Sequence, residues 1–429
     1  MLLVLVMTAA LVQTSRHRKE LEDAQDLKPK VVPAMEASDS RPDGLVGRRI
    51  YDPVQNRRVE ALAKAANIFG HKLLADITAH NRRENIFVSP LSAFSALAMT
   101  ESGATGSTQS AIREALSVPA SLSQDALQQS TSTYLQTLQS HDGTELSIAN
   151  ALWSDAKLPL SQSFVHLCRN LYEADATTLD FNQPATAGAI NDWVKKKTQG
   201  RIASIVTPES VRASQAILTN AVYFHGKWQY QFSKKETQEG TFHLVNGGQK
   251  KISMMHRSPL PGAYRRGNGF EAAVLPYESS AIEMYAILPA AGKSPEEVLA
   301  KLSLENLRSS FSSDELDLRL PRFTLDFSAG LKDALTRMGM GLAFHPEADF
   351  APMGPSGLYI GDVLHKTRLE VDEEGTVAAA ATSFGLLNAA PPSKIHKRTL
   401  VFDRPFAMLL CDSQTGAVLF EGVVYDPQP

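Results

Sequence analysis

Few side chains in this 429-residue sequence stand at spacings that catalysis requires. His365-Lys366 could exchange protons with a substrate, but Leu364 and Leu369 flank it on a strand-like run. A histidine held by hydrogen bonds inside the fold is the expectation there. There is no Gly-x-Ser-x-Gly elbow, no His-Glu-x-x-His, no phosphate loop closing on Gly-Lys-Ser/Thr and no dinucleotide fingerprint. "SGATGSTQS" at 102–110 has the glycines of a phosphate loop without its lysine, so it reads as a helix-packing turn. Trp228 in "YFHGKWQYQF" could offer its ring to a ligand, but a core or sheet-end aromatic is the better expectation. A Ser-His-Asp triad assembled from distant residues leaves no local signature. The sequence therefore reads as a protein that is not an enzyme.

Metal and cofactor chemistry fare no better. The two cysteines, Cys168 in "FVHLCRNLY" and Cys411 in "FAMLLCDS", each lie in an apolar run, which predicts buried free thiols. No paired ligand spacing suggests a metal, and no cofactor is implied. A net charge of -3 argues against nucleic acid as a partner, and the basic clusters Lys195-Lys196-Lys197 and "KIHKR" at 394–398 read as solvated faces.

One stretch stands apart. "VDEEGTVAAAATSFG", Val371 to Gly385, combines three consecutive acids, a glycine and four consecutive alanines. Alanine favours helix, with Thr376 as a cap, yet Pro391-Pro392 leaves room for only about two turns, too short to stand alone. Its chemistry is that of small, uncharged side chains which cost little to bury.

The elements that must position these residues are of two kinds. Residues 1–19 begin with "MLLVLVMTAALV", too short to span a bilayer and similar to the apolar part of a secretory signal, which predicts a secreted, extracellular or periplasmic protein with no membrane contact beyond this leader. Residues 20–57 mix charge with Pro and Gly and read as a linker. From residue 58 one folded domain is expected, its first helix marked by Val59, Leu62, Ala66, Phe69 and Leu73 at three-to-four spacing. Further helices are read at 90–100, 108–116, 124–139, 162–172 and 185–198. Strand-like runs follow: "AILTNAVYFHGKW", "AAVLPY", "IEMYAILP", "LDLRLPRFTL", "RLEVDEE", "TLVFDRPFAMLLCD" and "AVLFEGVVY". Helices early and strands late make an α+β domain.

Six segments, taken in order, resemble the serpin family of serine protease inhibitors across about residues 58–427. "NIFVSPLSAFSALAMTESGATGSTQSAIREAL" matches at Asn85, Ser89, Pro90, Ser92, Leu97, Gly103, Gly106 and Thr108. "INDWVKKKTQGRI" resembles the helix lying across the main sheet, and "LTNAVYFHGKWQYQF" its third strand. "LPRFTLDFSAGLKDALTRMGM", "HKTRLEVDEEGT" and "FDRPFAMLLCDSQTGAVLFEGVVYDP" complete the match. Asp403 stands where asparagine is usual and Val377 where glutamate is usual.

The resemblance implies about nine helices, three β-sheets and an exposed reactive-centre loop at about 375–397. It implies a monomer that acts once, as a suicide substrate. The target protease cuts the loop and is acylated; the loop then inserts into the main sheet and drags the protease into a distorted, trapped state. Glu373, Glu374 and Gly375 form the hinge, followed by Thr376, Ala378, Ala380 and Thr382 as the inward-facing small residues. Trp228 would lie where insertion begins, and Ser89, Ser92, Asn220 and His365 beneath the point where the sheet parts. Counting seventeen residues from Glu373 places the reactive bond at Ala389-Ala390, which suits an elastase-like protease. Counting back from Pro405-Phe406 moves it toward Lys394, suiting a trypsin-like enzyme, while Leu387 would suit a chymotrypsin-like one. A cysteine protease is a further candidate target, and a non-inhibitory carrier, chaperone or structural protein is the rival reading.

Overall fold

The computed structural model describes residues 53–138, 144–278, 281–309, 314–375 and 396–429. Its first helix, α1 (Pro53–His80), opens on a proline and buries Val59, Leu62, Ala66, Phe69 and Leu73, as their spacing predicts. The helix starts earlier than expected. Residues 53–57, read from sequence as linker, belong to it; residues 54–57 are exposed or only partly buried and polar after Val54, so they carry no apolar period to announce a helix.

Five longer helices follow: α2 (Pro90–Ser102), α3 (Gly106–Ala115), α4 (Gln124–Leu138), α5 (Gln162–Tyr172) and α6 (Thr186–Lys197). Four short ones, α7 (Pro208–Arg212), α8 (Pro295–Leu299), α9 (Leu304–Ser309) and α10 (Lys332–Leu335), bring the described residues to ten helices. Every residue of α2 is buried, so this helix is wrapped by protein on all sides. It crosses α1 at Gly70, where a Cβ would stand 2.2 Å from the Cβ of Pro90; only glycine permits that approach.

Three sheets complete the α+β architecture. The main sheet has five strands in the order β11 (Phe323–Gly330), β12 (Asp362–Val371), β4 (Ala216–Gly226), β2 (Thr144–Asp155) and β3 (Asp175–Leu179). A six-stranded sheet runs β1 (Ile86–Val88), β15 (Val418–Val424), β14 (Phe406–Asp412), β9 (Ile282–Pro289), β8 (Phe270–Pro276) and β7 (Tyr264–Gly267). The third has four strands, β13 (Lys397–Val401), β10 (Glu315–Pro321), β6 (Gln249–Pro261) and β5 (Gln238–His243).

The division into helices first and strands later is only approximate. β2 and β3 lie in the stretch dominated by helical patterns, yet β2 pairs antiparallel with β4 from Thr144↔Gly226 to Ser154↔Ala216. "TELSIANALWSD" carries mixed local preference, and pairing with the almost wholly buried β4 decides its state. Across the sheet lies α6. It buries Ala187, Ile190 and Val194 against Ala151, Trp153, Ile217, Ala149 and Ala221 of β2 and β4.

Cys168 and Cys411 are free and buried, and burial pushes the Cys168 thiol up to about 12. Among the described residues, no group of three or more His, Cys, Asp or Glu side chains could hold a metal ion, and no helix is long and apolar enough to cross a membrane.

Candidate functional site

The sequence-selected residues that the structure describes gather along one line, the seam between β12 and β4. These two strands are neighbours yet run parallel, paired from Asp362↔Ile217 to Leu369↔Phe224. The inner face of the seam is packed against α2. Its outer face lies toward α6 and the segment that follows it.

Midway along the seam His365 and Asn220 stand directly opposite each other. His365 Nδ1 meets the Asn220 side-chain oxygen at 2.5 Å, and its Nε2 accepts from the Ser89 backbone N–H at 3.1 Å. Nε2 can accept only when unprotonated, so the imidazole is neutral with its proton on Nδ1. Asn220 Nδ2 donates to the Ser92 hydroxyl at 2.5 Å and to the Asn150 side chain. Asn150 donates onward to Ser95 Oγ, and Ser89 Oγ donates to the Leu419 carbonyl at 2.6 Å. Ser89, Ser92, Asn220 and His365 are thus brought together as the sequence anticipates. Asn150, Ser95 and Thr367, whose hydroxyl donates to the Phe87 carbonyl at 2.6 Å, belong to the same cluster and were missed. The available signal was a polar side chain inside an apolar run, as in "SIANALW".

His365 is completely buried, and desolvation holds its imidazole down at about 3. General acid-base work on a bound substrate is therefore excluded for it. The native state takes up a proton there only near pH 3, the unfolded chain near 6.5, so this group's stabilising effect is complete above pH 6.5 and falls as pH drops below it. The slope approaches ~1.4 kcal/mol per pH unit. Unfolding midpoints measured from pH 7 to pH 5 should accordingly fall more steeply for the native protein than for His365→Asn; parallel profiles would refute the assignment.

At the far end of the seam the chain leaves β12 through Asp372, Glu373, Glu374 and Gly375. Trp228 is buried, stacks on Tyr277 with ring centroids 4.4 Å apart, and donates its indole N–H to the Asp372 carbonyl at 2.8 Å. The Glu374 and Glu373 carbonyls accept from the backbone N–H groups of Trp228 at 3.2 Å and Phe232 at 2.8 Å. The Glu373 carboxylate is buried, accepts from the Thr237 hydroxyl at 2.8 Å and lies 3.8 Å from Arg322; Lys234 pairs with Glu374. Gly375 has φ +69°, and a Cβ there would stand 2.2 Å from the Trp228 nitrogen. No other residue fits this left-handed conformation and close approach. Phe232 matches the family pattern in sequence, but Thr237, Tyr277, Lys234 and Arg322 were not singled out, because nothing local ties them to positions about 50 to 140 residues away.

Residues 376–395, with Thr376, Ala378, Ala380, Thr382, Leu387, Ala389, Ala390 and Lys394, lie outside the described residues. Their two ends are placed: Gly375 at the end of the main sheet, and His396 just before β13, the edge strand of the four-stranded sheet.

Comparison with known proteins adds an independent line. The family model described as "Serpin (serine protease inhibitor)" matches residues 64–427. An uncharacterized serpin-like protein of Thermococcus kodakarensis is 33% identical over 385 residues, covering 88% of this chain and 88% of that protein. Serine protease inhibitor A3L of Rattus norvegicus is 32% identical over 403 residues, covering 90% of this chain and 95% of its own. Among solved structures, the native state of tengpin, a thermophilic serpin, superposes with a TM-score of 0.75 at 30% identity, covering 89% of this chain and 96% of that one. Human thyroxine-binding globulin complexed with thyroxine superposes with a TM-score of 0.78 at 25% identity, covering 87% of this chain and 100% of that one.

Proposed function

The chain belongs to the serpin family, and from that membership we propose that it inhibits serine endopeptidases once per molecule, as a suicide substrate whose cleaved loop enters the main sheet. The observation that carries this reading is the parallel pairing of β12 with β4. A strand that follows β12 and turns back along it runs antiparallel to β12, and therefore antiparallel to β4 as well. Insertion at the seam replaces one parallel pair with two antiparallel ones, which are the more stable per residue. Gly375 sits where that reversal must happen, already in a left-handed conformation.

The residues after Gly375 suit the same event. Thr376, Ala378, Ala380 and Thr382 are small and uncharged, so alternation along a strand would present nothing costly to the sheet's buried side. Opening the seam requires the His365–Asn220 bond to break, which assigns the buried cluster a role in timing the event. The reactive bond is placed at Ala389-Ala390, with Leu387 and Lys394 as alternatives, and the favoured target is an elastase-like enzyme. The apolar N-terminus supports action outside the cytoplasm.

Incubation with elastase-, chymotrypsin- and trypsin-like enzymes is expected to give an SDS-resistant covalent complex with at least one, and mass spectrometry of the released C-terminal fragment then reads the reactive bond. If every enzyme merely cuts the loop and departs active, the inhibitory reading fails for that panel. The likeness to thyroxine-binding globulin favours a carrier as the second reading, and that outcome would favour it.

A further inference from the structure

A second feature of the seam lies on its outer face, away from the His365 cluster. Side chains of the even-numbered β12 residues point outward, and a row of charges runs along them. Asp326 of β11 accepts from Arg368 of β12 at 3.1 Å, and Lys366 lies 3.9 Å from the same carboxylate. Arg368 also holds Glu370, two residues on, at 3.0 Å. β4 contributes Tyr223, opposite Arg368 in register, whose ring stacks on His225 with centroids 5.9 Å apart; His225 in turn lies 3.8 Å from Glu145 of β2.

Among the described residues, Arg201 in the turn after α6 bridges the two halves of this row. Its guanidinium lies 3.6 Å from the Glu370 carboxylate on β12 and 5.2 Å above the Tyr223 ring on β4. The turn that delivers it is firmly held. Gln199 and Gly200 have φ values of +52° and +83°, the Arg201 N–H donates to the Thr198 carbonyl at 2.9 Å, and the Ile202 N–H donates to the buried Thr198 hydroxyl at 3.1 Å. Ile202 is itself buried against Val194, Ala149 and Ala221. Arg201 is thus a fixed arm that touches both strands of the seam.

We infer that Arg201 is an ionic clasp that restrains the β4/β12 seam, so that its release sets how fast the main sheet admits an added strand. This rests on the sheet-opening part of the proposed function. Separating the strands carries Glu370 away from Tyr223, and one guanidinium cannot follow both. The clasp must break on one side before the gap reaches strand width. Both partners are partly exposed, 43% and 25% for the Arg201 and Glu370 side chains, so salt weakens it. An exposed ion pair together with a cation–π contact corresponds to roughly a threefold to tenfold effect on an opening rate.

A synthetic peptide with the sequence of residues 376–387, TVAAAATSFGLL, supplies the strand without any protease. Its uptake, followed by native-gel shift and by the accompanying gain in thermal midpoint, is expected to be about three to ten times faster in Arg201→Ala than in the unaltered protein. Glu370→Ala should speed it similarly and the double variant no further, because the two changes release one contact. Lys196→Ala, on the exposed face of the same helix, should leave the rate unchanged. High salt should quicken uptake by the unaltered protein and quicken Arg201→Ala less, a readout that needs no variant to fold better or worse than another. Equal rates in Arg201→Ala and the unaltered protein, or additive effects in the double variant, would overturn the clasp and leave the inhibitory reading standing. Peptide uptake restrained by Arg201 without any covalent protease complex would sink the inhibitory reading alone. No uptake by either protein would overturn both.

Discussion

In a Thr376→Arg variant, covalent complex with the target protease is expected to collapse, and the protein to be consumed as an ordinary substrate. On the proposed mechanism, two outcomes would compete once the reactive bond is cut: the loop enters the seam and the protease is trapped, or the acyl-enzyme hydrolyses and the protease leaves. Position 376 directly follows Gly375 and, on the proposed mechanism, would supply the first inward step. The interior it would meet is occupied by His365, Thr367, Leu369 and the wholly buried α2. Taking an unpaired guanidinium there costs several kcal/mol. At ~1.4 kcal/mol per factor of ten, insertion slows by about a hundredfold or more, and hydrolysis wins. The measurement is the number of inhibitor molecules consumed per protease inactivated, read beside the SDS-resistant band. Thr376→Ser, small and uncharged, should behave as the unaltered protein. A Thr376→Arg variant that still gives full complex yield would count decisively against insertion.

Cleavage of the loop by a protease that is not trapped is expected to raise the thermal midpoint by on the order of 10 °C or more. Ordinary proteins lose stability when nicked, since a cut only adds freedom to the chain. On the proposed mechanism the cut would free the residues after Gly375 to pair with both β12 and β4, adding hydrogen bonds worth ~0.5–1.5 kcal/mol each along two strand edges and covering the seam. The gain should vanish in Thr376→Arg, cut at the same bond, because the free end cannot enter. A cleaved protein that melts at or below the intact one would mean that the loop stays outside, and the closed seam would then be the resting state of a carrier.

Local sequence carried much of the helical layer. α5 falls at Gln162–Tyr172 as read, with Phe164, Cys168 and Tyr172 buried on one stripe, and α2 begins at Pro90. β4, mostly apolar on both alternations, is buried on both faces except at His225. Other elements were illegible. β2 was hidden because its alanines and leucines suit either state, and only its long pairing with β4 settles the matter. Glu421 sits within the strand-like run "AVLFEGVVY", and nothing in that run shows that its carboxyl is almost wholly buried and pushed up to about 8.

What the sequence determined by itself was the family, the α+β class and a stretch of small residues after a single glycine hinge. These are properties of short segments, fixed by side-chain size, turn chemistry and periodicities of a few residues. Only the tertiary structure decided that β12 lies beside β4 and parallel to it, that His365 faces Asn220 across 145 positions of sequence, and that Arg201 reaches both strands from outside. The reason is physical. Which strands become neighbours, and in which direction, is set by how distant apolar faces can be buried together, and no local periodicity records that choice.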